Sequence, residues 1–460
     1  MSLAEQLADR WRVRDLRRKI GITLLLLTVC RIGVYVPLPG INVSKLREFI
    51  EGQGGIFGLM DMFSGGALAN GAIFGLGVMP YISASIIFTL LANVIPSLER
   101  LRKEGASGQK RLNQYTRIAT VFICFFQGAL IARGIAAMRG GDFVGDGELL
   151  ESRWLMYRFM LSSGFIMMAG TMFLMWIGEQ IDEHGIGNGM SLIITIGILA
   201  RLGPALRSAS QAIHNAEDQQ GVVIAFVLLA VLFIALVAGV VFITRGERRI
   251  PVQQQKHVRG PRVYGGQKHY LPLRVNQAGV MPIIFASSLL QFPAIIAQAV
   301  LSGGPSGWVR GVFQWITDAL GSRTLSLTYI FAYGTLIFFF CYFWTAVMFN
   351  PKEMAENLQG YGSFIPGIRP GRRTADYLEG IMNRVTVAGS FFLVGIALLP
   401  MIVSTLPAAR GVASFYGGTG ILIVVGVTQD LVRRINDHLE MRRYSGFRAG
   451  AGGRRRSRRR

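Results

Sequence analysis

Residues 56–87 read IFGLMDMFSGGALANGAIFGLGVMPYISASII, a glycine-broken segment that leads directly into a long apolar run. Short helices are predicted at Val43–Ile50 and Ile56–Phe63, each covering only about 12 Å at 1.5 Å per residue. That is too short to cross a hydrocarbon core of about 30 Å. Irregular backbone at membrane depth is tolerated only inside protein or beside a water-filled cavity. Two interpretations stay open from these residues: a re-entrant piece that fills a cavity, and an external loop packed on a helix bundle.

The composition of the whole chain is that of a membrane protein. Of 460 residues, 51% are hydrophobic and only 16% are charged, with a formal net charge of +22. So much apolar surface cannot be hidden behind so few charges in a soluble fold. This excludes a soluble globular enzyme, a disordered chain and a disulfide scaffold. No cleavable signal pattern accompanies the first apolar run, so we expect that run to be retained as an anchor.

Ten apolar runs are predicted to cross the membrane as helices, since a crossing needs about 20 apolar residues. They are Ile20–Val36, Ile73–Ile95, Tyr115–Met138, Leu155–Ile181, Gly189–Leu206, Val222–Thr244, Ala278–Leu301, Leu325–Phe349, Ile381–Leu406 and Gly418–Val432. Lysine and arginine concentrate in alternate loops and at both ends, and such residues stay on the cytoplasmic side. We therefore predict a multi-pass protein with both termini in the cytoplasm. Asn188 is predicted to cap the fifth helix.

The apolar runs carry little chemistry of their own. No acidic residue lies in the middle of a run and all five histidines lie in loops, whereas ionisable groups inside a membrane usually mark transport or proteolysis. Five arginines lie toward span ends, from which they can snorkel: Arg31, Arg117, Arg133, Arg158 and Arg201. We predict no metal, no cofactor and no enzyme activity. One alternative stays open, a secondary transporter of a small solute built from inverted repeats. An intramembrane enzyme using Ser107 fails, because no buried catalytic pair is present and Ser107 lacks a histidine partner.

Several longer motifs follow one another along the chain. They are Met62–Leu68 (MFSGGAL), Met79–Ile87 (MPYISASII), Gly170–Trp176 (GTMFLMW), Gly185–Gly189 (GIGNG), Arg248–Ile250 (RRI), Ile284–Ser288 (IFASS), Phe349–Pro351 (FNP) and Phe364–Gly371 (FIPGIRPG). With these motifs the chain resembles the SecY family of protein-conducting channels from about Leu16 to Arg434. The resemblance implies an all-α polytopic membrane protein. Its ten transmembrane helices would form two pseudo-symmetric five-helix halves, an inverted repeat around a central pore with a re-entrant plug.

The resemblance also implies a division of the chain and a function. Residues 1–19 would be a basic cytoplasmic N-terminus, and 20–206 the N-terminal half with spans one to five and a plug at about 41–70. Residues 207–434 would be the C-terminal half with spans six to ten and cytoplasmic loops at 245–276 and 350–380. Residues 435–460 would be an arginine-rich cytoplasmic tail. A member of this family passes unfolded secretory polypeptides across the bacterial inner membrane. It also releases signal and transmembrane segments sideways into lipid.

By the same resemblance, three groups of residues would form the channel. The pore ring, which seals by dewetting of an aliphatic constriction, would be Val78, Ile82, Met190, Ile194, Ile284 and Ile423. The plug would include Ile56, Phe57, Met60, Met62, Phe63, Ser64, Gly65, Gly66 and Leu68, with few strong contacts and therefore a cheap displacement. The lateral gate would pair Ser83, Ser85, Ile86 and Thr89 of span two with Ser287, Ser288 and Gln291 of span seven. The gate hydroxyls are expected either to bond weakly between helices or to bond to carbonyls of their own helix.

The sequence shows no nucleotide site, so partners must supply the driving force. The resemblance implies that the ATPase SecA or the ribosome docks on the basic loops, through Arg248, Arg249, Arg259, Arg262 and Arg369. It further implies a SecE subunit that clamps the two halves, a peripheral SecG subunit, and secretory and membrane proteins as substrates. The arginine-rich tail suits either anionic membrane lipid or ribosomal RNA, and both remain open.

Overall fold

Helices form most of the part of the chain that the computed structural model describes. That part comprises residues 14–53, 60–61, 63–137, 153–204, 207, 211, 219–255, 257–259, 262–264, 268–277, 279, 281–301, 307–320, 326–403, 420 and 422–436. The chain divides into two compact units. The first unit consists of Met1–Arg207, Ile295–Trp315 and Ile423–Arg460, and the second consists of Ser208–Ala294 and Ile316–Leu422.

The helices coincide with the apolar runs of the sequence, and several begin earlier, in the polar flanks. In chain order they are α1 Arg14–Gly33, α2 Val43–Gln53, α3 Met79–Val94, α4 Pro96–Lys103, α5 Ala106–Ala137, α6 Arg153–His184, α7 Gly189–Ala200, α8 Gln219–Arg245, α9 Met281–Leu301, α10 Trp308–Leu320, α11 Leu327–Met348, α12 Pro351–Gly360, α13 Arg372–Val403 and α14, residues 422–436. The predicted mainly helical architecture is confirmed. Helices α4, α10 and α12 lie in stretches for which we predicted loops.

Among the described residues, four helices are long and apolar enough to cross a membrane: α5, α6, α11 and α13. Helices α3 and α4 pass the same test as a pair, but a bend of 100° separates them. The bend falls at Ile95, whose backbone is extended and which precedes Pro96. A proline disfavours helical backbone in the residue before it. The count of ten spans stays a prediction.

Span two begins later than the sequence indicates. We predicted a span from Ile73, but residues 73–78 form turns and α3 begins at Met79. Gly77 has a φ of +59°, a conformation that glycine adopts readily and other residues rarely. The hydroxyl of Thr171, on α6, donates a hydrogen bond of 3.1 Å to the Gly77 carbonyl oxygen. The irregular, glycine-containing backbone therefore continues up to the start of α3.

Helices α5 and α6 approach one another closely through small residues. A methyl group built on Gly128 would lie only 3.2 Å from Cα of Gly164. Small residues at a helix interface let membrane helices pack backbone to backbone. Further along α6, a methyl group on Gly170 would collide with the carbonyl oxygen of Ile73. The motif Gly170-Thr171 thus provides both the space and the hydrogen bond that fix the turns before α3.

The basic loop after α8 folds into strands, which the sequence analysis did not predict. The strands are β1 Glu247–Gln254, β2 His257–Arg259, β3 Arg262–Tyr264, β4 Lys268–Arg274 and, from the loop after α11, β5 Ser363–Phe364. β1 pairs antiparallel with β4 on one edge and with β5 on the other, and β2 pairs with β3. Both predicted cytoplasmic loops are therefore joined in one sheet.

An apolar cluster anchors this sheet to the helices around it. In β1, Ile250 and Val252 are buried while Arg249 and Pro251, which alternate with them, are exposed. This alternation is that of a strand with one face on a core. The buried members of the cluster are Ile250, Val252, Leu273, Phe349, Ile365, Leu378, Ile381 and Met382. We call the unit formed by the sheet, α12 and the start of α13 the basic module.

Candidate functional site

The glycine-broken segment before α3 is held by a buried ion pair. The side chain of Asp61 is fully buried, and its Oδ2 lies 2.9 Å from Nη2 of Arg201, the residue that follows α7. The other carboxylate oxygen, Oδ1, accepts a hydrogen bond of 2.7 Å from the backbone N–H of Ala69. One side chain thus ties the segment both to itself and to a neighbouring helix.

A second arginine secures the same segment from α1. Nη1 of Arg31 donates a hydrogen bond of 3.0 Å to the carbonyl oxygen of Gly65. Gly65 has a φ of +69°, and a methyl group built on it would lie 2.6 Å from Cα of Gly197 on α7. Glycine meets both requirements, because it adopts positive φ without strain and has no Cβ to collide. The segment is therefore seated against α1 and α7 at backbone distance.

These contacts overturn two of our expectations. The expectation that the predicted plug has few strong contacts is wrong, because Asp61 forms a buried ion pair with Arg201 and the Gly65 carbonyl oxygen accepts a hydrogen bond from Arg31. Breaking a buried ion pair leaves an uncompensated charge. The expectation that Arg31 and Arg201 snorkel is also wrong, because both guanidinium groups contact the glycine-broken segment instead. The error lies in treating each arginine alone: an acidic residue far away in sequence supplies the partner.

The predicted plug residues lie mainly in the protein interior. Met60, Phe63, Ser64, Gly65 and Leu68 are buried, and Gly66 is half-buried. Ser64 donates to the Asp61 carbonyl oxygen at 3.1 Å and accepts from the Leu68 N–H at 3.2 Å, which closes the turn on itself. The other predicted members, Ile56, Phe57 and Met62, lie outside the described residues.

The predicted ring residues are apolar and mostly buried. Val78 precedes α3, Ile82 lies on α3, Met190 and Ile194 lie one turn apart on α7, Ile284 lies on α9, and Ile423 lies on α14. Val78, Ile194, Ile284 and Ile423 are at most 5% exposed, and Ile82 and Met190 are half-buried. Ile284 belongs to the second compact unit and the other five belong to the first. Convergence of the six on a common axis stays a prediction.

Two ring residues have surroundings that the structure defines. Val78 borders a small cavity together with Phe63 and Ser64 of the glycine-broken segment and Arg31 of α1. Met190 packs over α6, since a methyl group built on Gly178 would lie 2.9 Å from its Sδ. The first ring position thus adjoins the predicted plug. At the other position, the Met190 thioether lies against α6 of the same compact unit.

Most hydroxyls of the predicted gate bond within their own helices. On α3, Ser83 donates to the Met79 carbonyl oxygen (3.0 Å) and Thr89 donates to that of Ser85 (2.7 Å). On α9, Ser287 and Ser288 both donate to the Ile284 carbonyl oxygen, at 2.9 and 2.8 Å. A hydroxyl has one proton to donate, so of the two expectations the local bond is the one realised. Ser85 is half-buried, Ile86 is buried, and for Gln291 only the helical backbone is described.

Of the predicted docking arginines, Arg248, Arg249 and Arg369 belong to the basic module, while Arg259 and Arg262 lie on the separate two-stranded sheet. Arg248 and Arg249 are exposed on β1, where Nη2 of Arg249 lies 2.8 Å from Oε1 of Glu247. Arg259 and Arg262 are paired in register where β2 and β3 meet. Arg369 is exposed a few residues after β5, and its carbonyl oxygen accepts a hydrogen bond from Thr374 Oγ1 (2.9 Å). One folded module thus carries basic residues from both loops.

The predicted turn into α7 is confirmed. Asn188 Oδ1 accepts a hydrogen bond of 3.0 Å from the Ser191 N–H, as an N-cap does. Asp182 adds a second acceptor, since its Oδ1 receives the Gly189 N–H at 2.7 Å. The turn positions α7, the helix that carries Gly197 and leads into Arg201.

The sequence analysis did not predict the contacts that join three functional candidates, Asp61, Arg201 and Arg31. The available signal was Asp61 itself, a single acidic residue within an otherwise apolar and glycine-rich stretch. Buried charges are normally paired, so the residue predicts a cationic partner. Which arginine serves as that partner depends on a contact between distant parts of the chain.

Comparison with known proteins identifies the family. A family model described as SecY matches residues 72–432. The chain is 43% identical over 445 residues to the protein translocase subunit SecY of Streptomyces galbus, covering 96% of this chain and 98% of that one. It is 42% identical over 434 residues to the protein of the same name from Escherichia coli K12, covering 94% and 93% of the two chains.

The fold is likewise that of solved channel structures. A protein-conducting channel matches with a TM-score of 0.58 at 17% identity over 92% of both chains. A SecY structure concerned with how the plug domain stabilises the closed state matches with a TM-score of 0.57 at 18% identity, again over 92% of both. Sec61 of a canine ribosome–channel complex matches with a TM-score of 0.53 at 16% identity over 92% of both. By its match to the family model and its identity to these curated relatives, the chain belongs to the SecY family of protein translocase subunits.

Proposed function

We propose that this chain forms the gated pore through which a protein translocase passes unfolded secretory polypeptides. Membership of the SecY family supports a polypeptide channel and gives no support to the small-solute transporter. The observation that carries the proposal is the glycine-broken segment itself. Its described residues 60–61 and 63–72 lie largely buried against α1 and α7 beside Val78, and this position supports their proposed role as a movable plug.

The ring supplies the second element of the mechanism. Val78, Ile82, Met190, Ile194, Ile284 and Ile423 are all apolar, and a narrow constriction of such side chains excludes water and ions. An unfolded chain in transit would replace the seal by filling the constriction. Closure at rest would combine the ring with the plug residues beneath it.

Sideways release of a signal sequence requires that its transfer into lipid outweigh the interactions between the two gate helices. We propose that the gate lies between α3 and α9, at the residues named above. Because the described gate hydroxyls are satisfied within their own helices, opening would break few interhelical hydrogen bonds, which average about 0.6 kcal/mol in membranes. A signal core of ten leucine-like residues gains up to about 5 kcal/mol from lipid on the insertion scale. An apolar segment can therefore part the helices, and a polar segment cannot.

The basic module suits docking of an external motor. Arg248 and Arg249 project from a sheet anchored by its own apolar core, and Arg369 follows the last strand of that sheet, so the charges stand on a rigid support. We propose SecA or the ribosome as the docked partner, SecE and SecG as companion subunits, and the bacterial inner membrane as the location, with both termini in the cytoplasm. The similarity to a ribosome-bound Sec61 channel supports the ribosome among these partners.

Crosslinking to a stalled substrate tests the proposal. A photoreactive residue at Ile284 is compared with one at Phe331, which is 77% exposed on α11. We expect a secretory chain arrested in transit to crosslink strongly at position 284 and weakly at position 331. Equal labelling at both positions, or labelling at 284 that does not require a signal sequence, would contradict the proposal.

A further inference from the structure

The Asp61–Arg201 pair differs from the other ion pairs in the described part of the chain. The acids of those pairs have side chains that are 32–50% exposed, whereas the Asp61 side chain is 0% exposed. The Arg201 side chain is 23% exposed. Surface ion pairs contribute little because water screens them. A buried pair instead enforces one arrangement, since either partner left alone is a desolvated charge.

We propose that Asp61 and Arg201 form a latch that keeps the plug segment seated, and that this latch sets how strictly the channel demands a signal sequence. The proposal rests on the proposed function, since it assigns specificity-determining residues to that same pore. It concerns two side chains of this chain that belong neither to the ring nor to the gate.

The two oxygens of the Asp61 carboxylate have separate tasks. Oδ1 receives the Ala69 N–H, while the Asp61 carbonyl oxygen receives the Gly66 N–H at 2.9 Å. These bonds shape the turn of the segment. Oδ2 faces Arg201, and this contact attaches the turn to α7. The segment therefore cannot leave α7 in its folded form without separating the charges.

Two further contacts make the seat specific without adding charge pairing. Arg31 binds the Gly65 carbonyl oxygen, and Gly65 meets Gly197 at backbone distance. A displacement of the segment that breaks the ion pair would also break these two contacts, so the segment would leave its position against α7 cooperatively. Once the segment has moved, Arg201 is a partly buried cation without its carboxylate. Opening therefore has a threshold, and we infer that an inserted signal sequence supplies the free energy to cross it.

A double-mutant cycle tests the latch in cells where the full chain, with its partner subunits, replaces the resident channel. The measured quantity is export of a reporter enzyme that lacks a signal sequence. We expect Asp61→Asn and Arg201→Gln each to raise this export about tenfold, equivalent to about 1.4 kcal/mol. The double variant should stay near the same level, because each single substitution already breaks the ion pair and the second has no contact left to remove. Independent roles would instead multiply to about a hundredfold.

Matched variants separate the latch from a general loss of structure. Arg117→Gln breaks the ion pair with Glu179, whose members are 48% and 32% exposed, and should leave export of the signal-less reporter unchanged. Arg201→Lys keeps the charge and should stay within about twofold of the unaltered chain. If Asp61→Asn does not accumulate in the membrane, the contrast between Arg201→Gln and Arg201→Lys decides the question.

The outcomes are distinguishable from failure of the proposed function. If the unaltered chain does not export a reporter with an intact signal sequence, the proposed function is wrong. The latch proposal is wrong, and the channel proposal is kept, if the unaltered chain does export that reporter but the single variants do not raise export of the signal-less reporter. The same holds if the effects of the two single variants multiply in the double variant.

Discussion

The glycine-broken segment, proposed as the plug, and the basic module both interrupt the succession of apolar helices, and they use charge in opposite ways. In the module, an apolar cluster around Ile250 and Leu273 holds the fold and the arginines of β1 stand in water. In the plug segment, a buried carboxylate meets one arginine and a backbone carbonyl meets another. Charge turned outward suits recognition by a separate partner, while charge turned inward holds a conformation. On the proposed function, the same residue types serve docking in one place and closure in the other.

The largest effect is expected where the module loses its core. Leu273→Ala removes a side chain that is 1% exposed, and such truncations cost about 2–5 kcal/mol. We expect the sheet to become protease-sensitive and binding of the motor or ribosome to fall, with no rise in ion leakage through the closed pore. Tyr270→Ala, on the same strand but 63% exposed, is the control. Increased leakage in Leu273→Ala would show that the two regions are not independent.

The next effect concerns the contacts that hold the proposed plug against α7. Gly65→Ala places a Cβ 2.6 Å from Cα of Gly197, in addition to about 1–2 kcal/mol for left-handed backbone. Gly66→Ala carries the backbone strain alone, since a Cβ there meets nothing within 4 Å. We expect Gly65→Ala to leak more ions and more signal-less reporter than Gly66→Ala. Equal effects would mean that backbone strain, rather than contact with α7, controls the seat.

A smaller effect is expected from the outward charges. Arg248→Glu combined with Arg369→Glu should slow partner association by roughly tenfold at low ionic strength, through lost electrostatic steering. The difference should shrink in high salt as the charges are screened, while the unfolding temperature stays the same. Arg310→Glu, on α10 in a loop predicted to lie on the other side of the membrane, is the control. Association rates that ignore salt would argue against the module as a docking surface.

The smallest effect is expected at an exposed pair in α4. The hydrogen bond from Lys103 lowers the pKa of Glu99. A lowered folded-state pKa contributes stability at pH above the unfolded value of about 4.3, and that stability is lost as pH falls through the folded value. Because the pair is exposed, Glu99→Gln should leave the unfolding temperature unchanged at pH 7. A clear shift would contradict the contrast between exposed and buried ion pairs.

Local signals predicted much of the fold. The apolar runs located the helices, the stretch from Val43 predicted α2, and the Asn188 cap followed from residue type and position. The motif at Gly170-Thr171 contributed to the family resemblance, and the structure shows that it holds the turns before α3 in place.

Features that depend on distant partners were not predictable. The pairing of β5 with β1 joins two loops that the sequence separates by three helices, and nothing in Ser363-Phe364 alone specifies a strand. The choice of Arg201 as partner of Asp61 likewise depends on how α7 packs. A hydropathy profile describes each segment separately, whereas the Asp61–Arg201 pair and the pairing of β5 with β1 each depend on two segments that are distant in sequence.

Ion conductance of the full chain in a lipid bilayer tests the sealed pore most directly. The ring variants Ile284→Asn and Ile423→Asn are compared with Leu289→Asn, which alters a residue of α9 that is 48% exposed. We predict that the unaltered chain and Leu289→Asn stay closed to ions, while both ring variants conduct because a polar constriction remains wet. Ring variants as tight as the unaltered chain would contradict an aliphatic seal formed by these residues.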